Sequence, residues 1–593
     1  MGVPGGKKRI TIIAVSSVLL VAMVIGGVVG VIQYKKQEQR GGGGGGGDED
    51  GDTNSGDKNA SHTSKTIVAI CEPTNYKQEC EKSLENEATG DKKDPQDLAR
   101  AGIQVAISKL DEVLKNSTLL KNKGKDPMTE EALNICRQLL NASMYDLKIS
   151  YNKMCALNLE KVDQYAEDVR VWLSGAVNHQ ETCVDVCQNT TADLGKQMNE
   201  TLELPQERAS NALAMVSELT AALNSLNFQA SRRRLLASSP PSKNKNNDQY
   251  MQQGSRTQQI PAWLTGRKLD LLKATPETLK PNVTVAQDGS GKYKTINEAL
   301  KLVPEKSDDL FVIYVKEGVY KEYVTIEGMM ENVVMIGDGP AKTKISGNKN
   351  STSGTKTINT ATFAVVGTFF VAKDIGFENT AGAEGHQAVA LRVQSDFSIF
   401  YNCRIDGYQN TLYVQAYRNY FRDCNITGAV DFIFGDAVSF FQNCSMLVRK
   451  PKDGQAAVVT AQGRTDKNEV TGIVLHNCTI SGDPENKDNK YKAYLGRPLK
   501  SFARTIVMQS QIGDVIQPEG YLPTDGERFH MTSLFGEYNN TGSGADMSGR
   551  AKWPSIKKLD AKQAKAYSGG KWFEGDRWVK PSGVPFVSGM MEG

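Results

Sequence analysis

Histidine is scarce in this chain, with five among 593 residues. Of these, His386 borders a polar motif, but no Gly-x-Ser-x-Gly elbow exists for it to serve, which argues against a Ser-His-Asp hydrolase. No Cys/His spacing has the form of a zinc site. Ten cysteines are too few to make a disulfide scaffold of a chain this long. Excess charge is missing as well: 71 Lys and Arg face 68 Asp and Glu, a net of +3. With no basic helix and no aromatic-basic interleaving, nothing points to nucleic acid. Gly289-Ser290-Gly291 reads as a turn rather than a nucleotide loop.

What the chain does hold is a ladder of polar residues. Gln387, Gln409 and Asp431 are spaced by 22 residues and then 22 again. Equal spacing near this length suits a solenoid of short strands, in which positions one turn apart stack at the strand spacing of about 5 Å. Two amides and a carboxylate on one face suit ester chemistry: the carboxylate attacks a carbonyl and the amides hold the oxyanion. A phrase also recurs, Phe400-Tyr-Asn-Cys-Arg-Ile-Asp-Gly407, then Phe421-Arg-Asp-Cys-Asn-Ile-Thr-Gly428, with weaker copies at Phe441–Cys444 and Leu475–Gly482. Each copy predicts a strand with apolar residues inside and Asn or Gly at the corner. Cys403, Cys424, Cys444 and Cys478 then read as stacked buried thiols, with disulfides between neighbouring coils as the alternative.

From Val283 to Trp578 the sequence resembles plant pectin methylesterases. The matching phrases are Gly318-Val-Tyr-Lys-Glu322, Gln387-Ala-Val-Ala-Leu391, Asp431-Phe-Ile-Phe-Gly435, Thr460-Ala-Gln-Gly-Arg464 and Leu495-Gly-Arg-Pro498. The resemblance implies a right-handed parallel β-helix that hydrolyses methyl esters of homogalacturonan, with no cofactor and no metal. It implies Asp431 as nucleophile, Gln387 and Gln409 as oxyanion donors, and Arg497 as the residue that orients the nucleophile and faces the acidic sugar. Thr357 matches a substrate contact. Polygalacturonases and pectate lyases would need an acidic cluster where this ladder is mostly amide.

Two positions depart from the family pattern. Asn410 stands where the family has the Asp that acts as general acid and then general base, and an amide cannot exchange that proton. Such help is worth roughly a hundred- to ten-thousand-fold. Leu499 stands where the family has Trp, so a sugar loses its flat platform. Three outcomes stay open: a slow esterase, a pectin-binding pseudoenzyme, or a chain whose working part is its N-terminal domain. Asp406 and Asp436 are nearby acids, but both read as corner residues.

Upstream, Lys7, Lys8 and Arg9 precede an apolar stretch at 10–32, long enough to span a bilayer. It predicts a transmembrane signal anchor behind a cytosolic tail at 1–9, with a cleaved signal peptide as the alternative. Either one sends the chain into the secretory pathway, towards the cell wall, as a membrane-anchored precursor under the first reading. Sequons agree, among them Asn59, Asn116, Asn141, Asn189, Asn199 and Asn282; those at Asn425 and Asn443 read as too buried for modification. Residues 33–65 form a flexible Gly/Asp-rich linker. Residues 66–228 carry helical periodicity, as in Leu133, Cys136, Leu140, Met144 and Leu147, and predict an up-down bundle. With Trp172-Leu-Ser-Gly-Ala176 and Glu181-Thr-Cys183, this region resembles the pectin methylesterase inhibitor domain, a four-helix bundle after a hairpin. That resemblance implies Cys71–Cys80 and Cys136–Cys183 disulfides. Cys155 and Cys187 are left as two buried thiols or one additional disulfide. The linker at 229–279 holds Arg232, Arg233, Arg234, Leu235 and Leu236, read as a protease site. Residues 280–590 are the expected β-helix.

Overall fold

A computed structural model describes residues 65–87, 95–121, 126–155, 162–225 and 280–592, apart from 486–490 and 525, with a few isolated residues between. The apolar stretch at 10–32, the glycine-rich linker and the Arg232–Leu236 cluster lie outside the described residues. Among the described residues, no helix is long and apolar enough to cross a membrane. Two compact units make up the chain, one from residues 65–121, 140–180 and 197–225, the other from 122–139, 181–196 and 280–592.

Four long helices, Pro95–Asn116, Pro127–Cys155, Val162–Gln188 and Ala192–Ser225, follow the shorter helix Lys77–Glu87. The three- and four-residue spacing of apolar residues explains them, since Ile103, Ile107, Leu110, Leu140, Met144 and Leu147 are all buried. In the first unit, Gln180 Nε2 donates to Ser143 Oγ at 3.0 Å, and Ser143 Oγ donates to the Ala176 carbonyl at 2.9 Å. Arg208 holds Glu79 at 2.8 Å. Both expected disulfides are present, Cys71–Cys80 and Cys136–Cys183. Cys187 is a buried thiol pushed up to about 12 by burial, whereas Cys155 is exposed, which corrects the expectation of two buried thiols.

In the second unit the chain coils through three parallel sheets of 11, 7 and 8 strands, a parallel β-helix. In the central turns each coil contributes one strand to each sheet. The repeated phrase gives the reason. Phe400, Phe421 and Phe441 are register partners inside the coil, with ring centroids 4.9 and 4.6 Å apart. Ile405, Ile426, Met446 and Ile480 line up the same way. The four coil cysteines are buried free thiols, as the first of the two readings expects. At the corners Asn402, Asp423, Asn443 and Asn477 all have φ between 50° and 57°, a left-handed conformation that Asn and Asp tolerate best among non-glycine residues. Their side chains also stack: Asn443 Nδ2 donates to Asp423 Oδ1 at 2.6 Å, and Asn477 Nδ2 to Asn443 Oδ1 at 3.3 Å. These corners put Asn425 and Asn443 at the surface, so the two sequons are exposed rather than buried.

Both ends of the coil's packing are set by short segments. The helix Ile296–Leu300 buries Ile296, Ala299 and Leu300 near the first coil, and a Thr295/Glu298 capping box starts it. After the last strand, Phe573, Trp578 and Phe586 cover the outer face of the largest sheet, against Tyr420, Phe440 and Phe397. The seven-stranded sheet is left to carry the polar ladder.

Candidate active site

Seven strands supply the site: Val324–Ile326, Phe363–Val365, Leu391–Gln394, Leu412–Ala416, Ile433–Gly435, Ala457–Gln462 and Ala493–Pro498. Register partners run Leu391, Leu412, Ile433, a step of 21 residues. The polar ladder steps by 22. Each of its members therefore sits one position closer to its strand than the last: Gln387 is four residues before Leu391, Gln409 three before Leu412, and Asp431 two before Ile433. Gln387 and Gln409 still pair as a parallel bridge. Continuing the register back from Leu412 and Ile433 brings Asn410, not Gln409, opposite Asp431, and Asn410 Nδ2 donates to the Asp431 carbonyl at 3.4 Å. The ladder is thus straight from Gln387 to Gln409 and offset by one residue at Asp431, which corrects the expectation from spacing at that last step.

Asp431 is 4% exposed and takes φ 48°. Arg497 Nε donates to Asp431 Oδ1 at 2.8 Å and Arg497 Nη2 to Oδ2, a two-pronged grip that fixes the carboxylate plane. Burial raises the Asp431 pKa above its ordinary value; the Arg497 hydrogen bonds and charge pull it back down, and burial prevails. Asn410 is also buried, at φ 61°. The strand that ends in Gly435 needs glycine there: φ is 125° and a Cβ would lie 2.1 Å from the Val414 carbonyl oxygen.

Thr357 opens a short 3-10 turn, Thr357–Asn359, and Thr360 Oγ1 donates to its carbonyl at 2.7 Å. That same hydroxyl accepts from Val389 N at 3.0 Å, two residues past Gln387, so the turn is tied to the ladder strand. Leu499 packs on a small apolar cluster of Val389, Phe434 and Ala461, together with Tyr413. The Tyr413 and Phe434 rings stack at 4.3 Å beside Leu499, with Tyr413 the less buried of the two.

The two spare acids do not join the site. Asp406 lies in the strand Arg404–Asp406 of the eight-stranded sheet and is held by Arg404 at 2.5 Å; it is a strand residue, not the expected corner. Asp436 directly follows Gly435 and accepts from Gln462 Nε2 at 2.8 Å. Gln462 Oε1 in turn accepts from Arg464 N and Arg504 N, so Asp436 braces the backbone beyond the cleft. Sequence reasoning missed this brace, and it missed Ser351, whose Oγ donates to Gln387 Oε1 at 2.6 Å. Ser351 lies outside the repeat, so no periodic signal marks it. Among the described residues there is no cluster of metal-ligating side chains.

Comparisons with known proteins agree with this fold. Residues 282–576 match the Pectinesterase family model, and residues 65–215 match the model for plant invertase/pectin methylesterase inhibitors. An Arabidopsis thaliana relative, putative pectinesterase/pectinesterase inhibitor 28, is 41% identical over 590 residues, covering 99% of this chain and 76% of its own. Another, probable pectinesterase/pectinesterase inhibitor 58, is 42% identical over 553 residues, covering 89% of this chain and 93% of its own. Among solved structures, the pectin methylesterase from carrot is 46% identical with a TM-score of 0.52, covering 53% of this chain and 99% of that one. Sequence and fold converge, and the chain belongs to the pectinesterase family, as a pectin methylesterase preceded by an inhibitor-like domain.

Proposed function

We propose that this chain removes methyl groups from homogalacturonan in the cell wall, with Asp431 as the nucleophile. The observation that carries this reading is the two-pronged Arg497 grip on a buried carboxylate beside the Gln387–Gln409 bridge. Ionised Asp431 attacks the ester carbonyl and forms a tetrahedral oxyanion that the amide N–H groups of Gln387 and Gln409 stabilise. Collapse expels methoxide and leaves an acyl-enzyme. Water then hydrolyses it, releasing the galacturonate and regenerating Asp431. Asn410 can neither protonate the methoxide nor take a proton from the second water, so both transfers fall to solvent. Turnover is correspondingly slow.

A second reading is specifically favoured by Asn410: pectin is held and not turned over. The stacked Tyr413 and Phe434 rings and Leu499 supply contact area for sugar in either case. Methanol release from highly methyl-esterified pectin by residues 273–593, beside Asp431→Ala, decides between them. This segment contains residues 282–576, which match the Pectinesterase family model, and the carrot pectin methylesterase aligns with 53% of this chain over 99% of its own length. Release above the Asp431→Ala blank supports the esterase; retention of pectin with no release supports the binder.

For the remainder of the chain we infer a four-helix inhibitor-like bundle that restrains or assists the β-helix before processing. Residues 10–32 serve as a membrane anchor of the precursor, on the strength of their apolar length and basic flanks. A protease acting at Arg232–Leu236 separates bundle from enzyme, a role supported by an exposed-type basic sequence between two domains.

A further inference from the structure

Gln387 and Gln409 are both amides of one ladder, yet they are held differently. Gln387 Oε1 accepts a hydrogen bond from Ser351 Oγ at 2.6 Å. Gln409 Oε1 is buried and has no hydrogen-bond partner among the described residues. We propose that Ser351 is a positioning residue that locks the Gln387 carboxamide with its oxygen turned to the serine and its Nε2 presented to the ester oxyanion. The proposal rests on Gln387 acting as an oxyanion donor, and it goes beyond that reading by saying what aims the donor.

A carboxamide has an acceptor at one end and donors at the other, so a half-turn about its last bond reverses its action. With nitrogen outward it stabilises a developing oxyanion; with oxygen outward it repels one. The carboxamide oxygen is the end that faces the serine, 2.6 Å away. An amide oxygen only accepts. The hydroxyl therefore donates, and its other contact, the Gly385 carbonyl at 3.5 Å, is too long to compete. Ser351 is itself fixed. Its backbone N–H donates to the Gln387 carbonyl at 2.9 Å, so main chain and side chain both join the pair. Asn350 caps the turn by accepting from Ser353 N at 3.1 Å. Asn379 Nδ2 anchors the approach by donating to the Lys349 carbonyl at 2.9 Å. One oxyanion donor is thus aimed before substrate arrives, while nothing equivalent holds the oxygen of the other.

The test uses residues 273–593, carrying Ser351→Ala or Ser351→Thr, each with Gln387 intact and with Gln387→Ala. Removing a whole oxyanion donor costs about a hundred- to a thousand-fold, so releasing its aim is expected to lower kcat by about tenfold. KM should stay within about twofold, because ground-state binding is untouched. Ser351→Thr keeps the hydroxyl and should restore kcat. In the Gln387→Ala background, Ser351→Ala should add no further loss. An equal loss in both backgrounds, or a change in KM alone, overturns the proposal. A second readout needs no turnover: the side-chain amide resonance of Gln387 in ¹⁵N-glutamine-labelled protein, assigned by its disappearance in Gln387→Ala. Ser351→Ala must displace it and Ser351→Thr must not; an unmoved resonance overturns the lock. If every variant is silent in the methanol assay while this resonance moves, the esterase reading fails and the lock stands.

Discussion

Asp431 is the residue on which burial and a guanidinium pull in opposite directions. Burial raises its pKa above the ordinary 3.8, and Arg497 draws it down. The acid limb of kcat/KM should therefore lie above that of an ordinary aspartate, and Arg497→Gln should move it higher still while lowering kcat/KM by about a hundredfold. A pH profile of both proteins checks this; an acid limb that falls on Arg497→Gln would refute the assignment. Stability runs the other way. A carboxyl whose folded pKa is raised favours the folded state when protonated, and that contribution is lost as pH rises through the folded pKa. Asp431→Asn mimics the protonated form, so its Tm should exceed the parent's at neutral pH, and the gap should close on acidification. The neighbouring Leu499 sits on the Val389–Phe434–Ala461 cluster. Leu499→Trp should lower KM for pectin several-fold, by adding a ring face of the kind worth about 0.5–1.5 kcal/mol between aromatic partners.

Among the elements, the strands of the coil depend on internal stacking. Phe421 lies between Phe400 and Phe441 at 4.9 and 4.6 Å, fully buried. Phe421→Ala should cost about 3–5 kcal/mol, read as a shift in the urea midpoint, because the rigid coil cannot close the cavity. Much of this element was legible beforehand. The recurring phrase announces strands, and Asn402, Asp423, Asn443 and Asn477 announce their corners, because a tight left-handed corner restricts residue choice. The ladder was legible as a set of residues but not as a geometry. Its 22-residue spacing matches the pairing of Gln387 with Gln409 but not the 21-residue step that carries Asn410 to Asp431, and only hydrogen-bond register separates the two. Asp406 was misplaced for a related reason: a polar residue before glycine resembles a corner in sequence, while pairing with Thr427 puts it in a strand. Ser351 had no signal at all, since a contact across 36 residues of non-repeating chain leaves no period.

At the scale of the whole molecule, a parallel β-helix is a stack of turns, each resting on its neighbours, and a charge buried beneath the segments that cover its sheets is costly unless paired. Arg418 and Asp396 are both about 2% exposed, bonded at 2.7 Å, and the guanidinium also lies over Phe397. Asp396→Ala would remove the carboxylate that grips a buried guanidinium, and should destabilise the β-helix by about 3–5 kcal/mol in chemical denaturation. A loss below about 1 kcal/mol, the range of an exposed pair, would contradict this. Asn410 is buried and its amide donates to the Asp431 carbonyl, so it is built into the packing beside that carboxylate. The most direct measurement is methanol release from highly methyl-esterified pectin by residues 273–593, run side by side for the parent, Asp431→Ala and Asn410→Asp. The account predicts slow release by the parent above the Asp431→Ala blank, and release about a hundredfold faster once Asn410→Asp supplies the missing proton carrier. A folded parent no better than the blank, with Asn410→Asp equally silent, would contradict it.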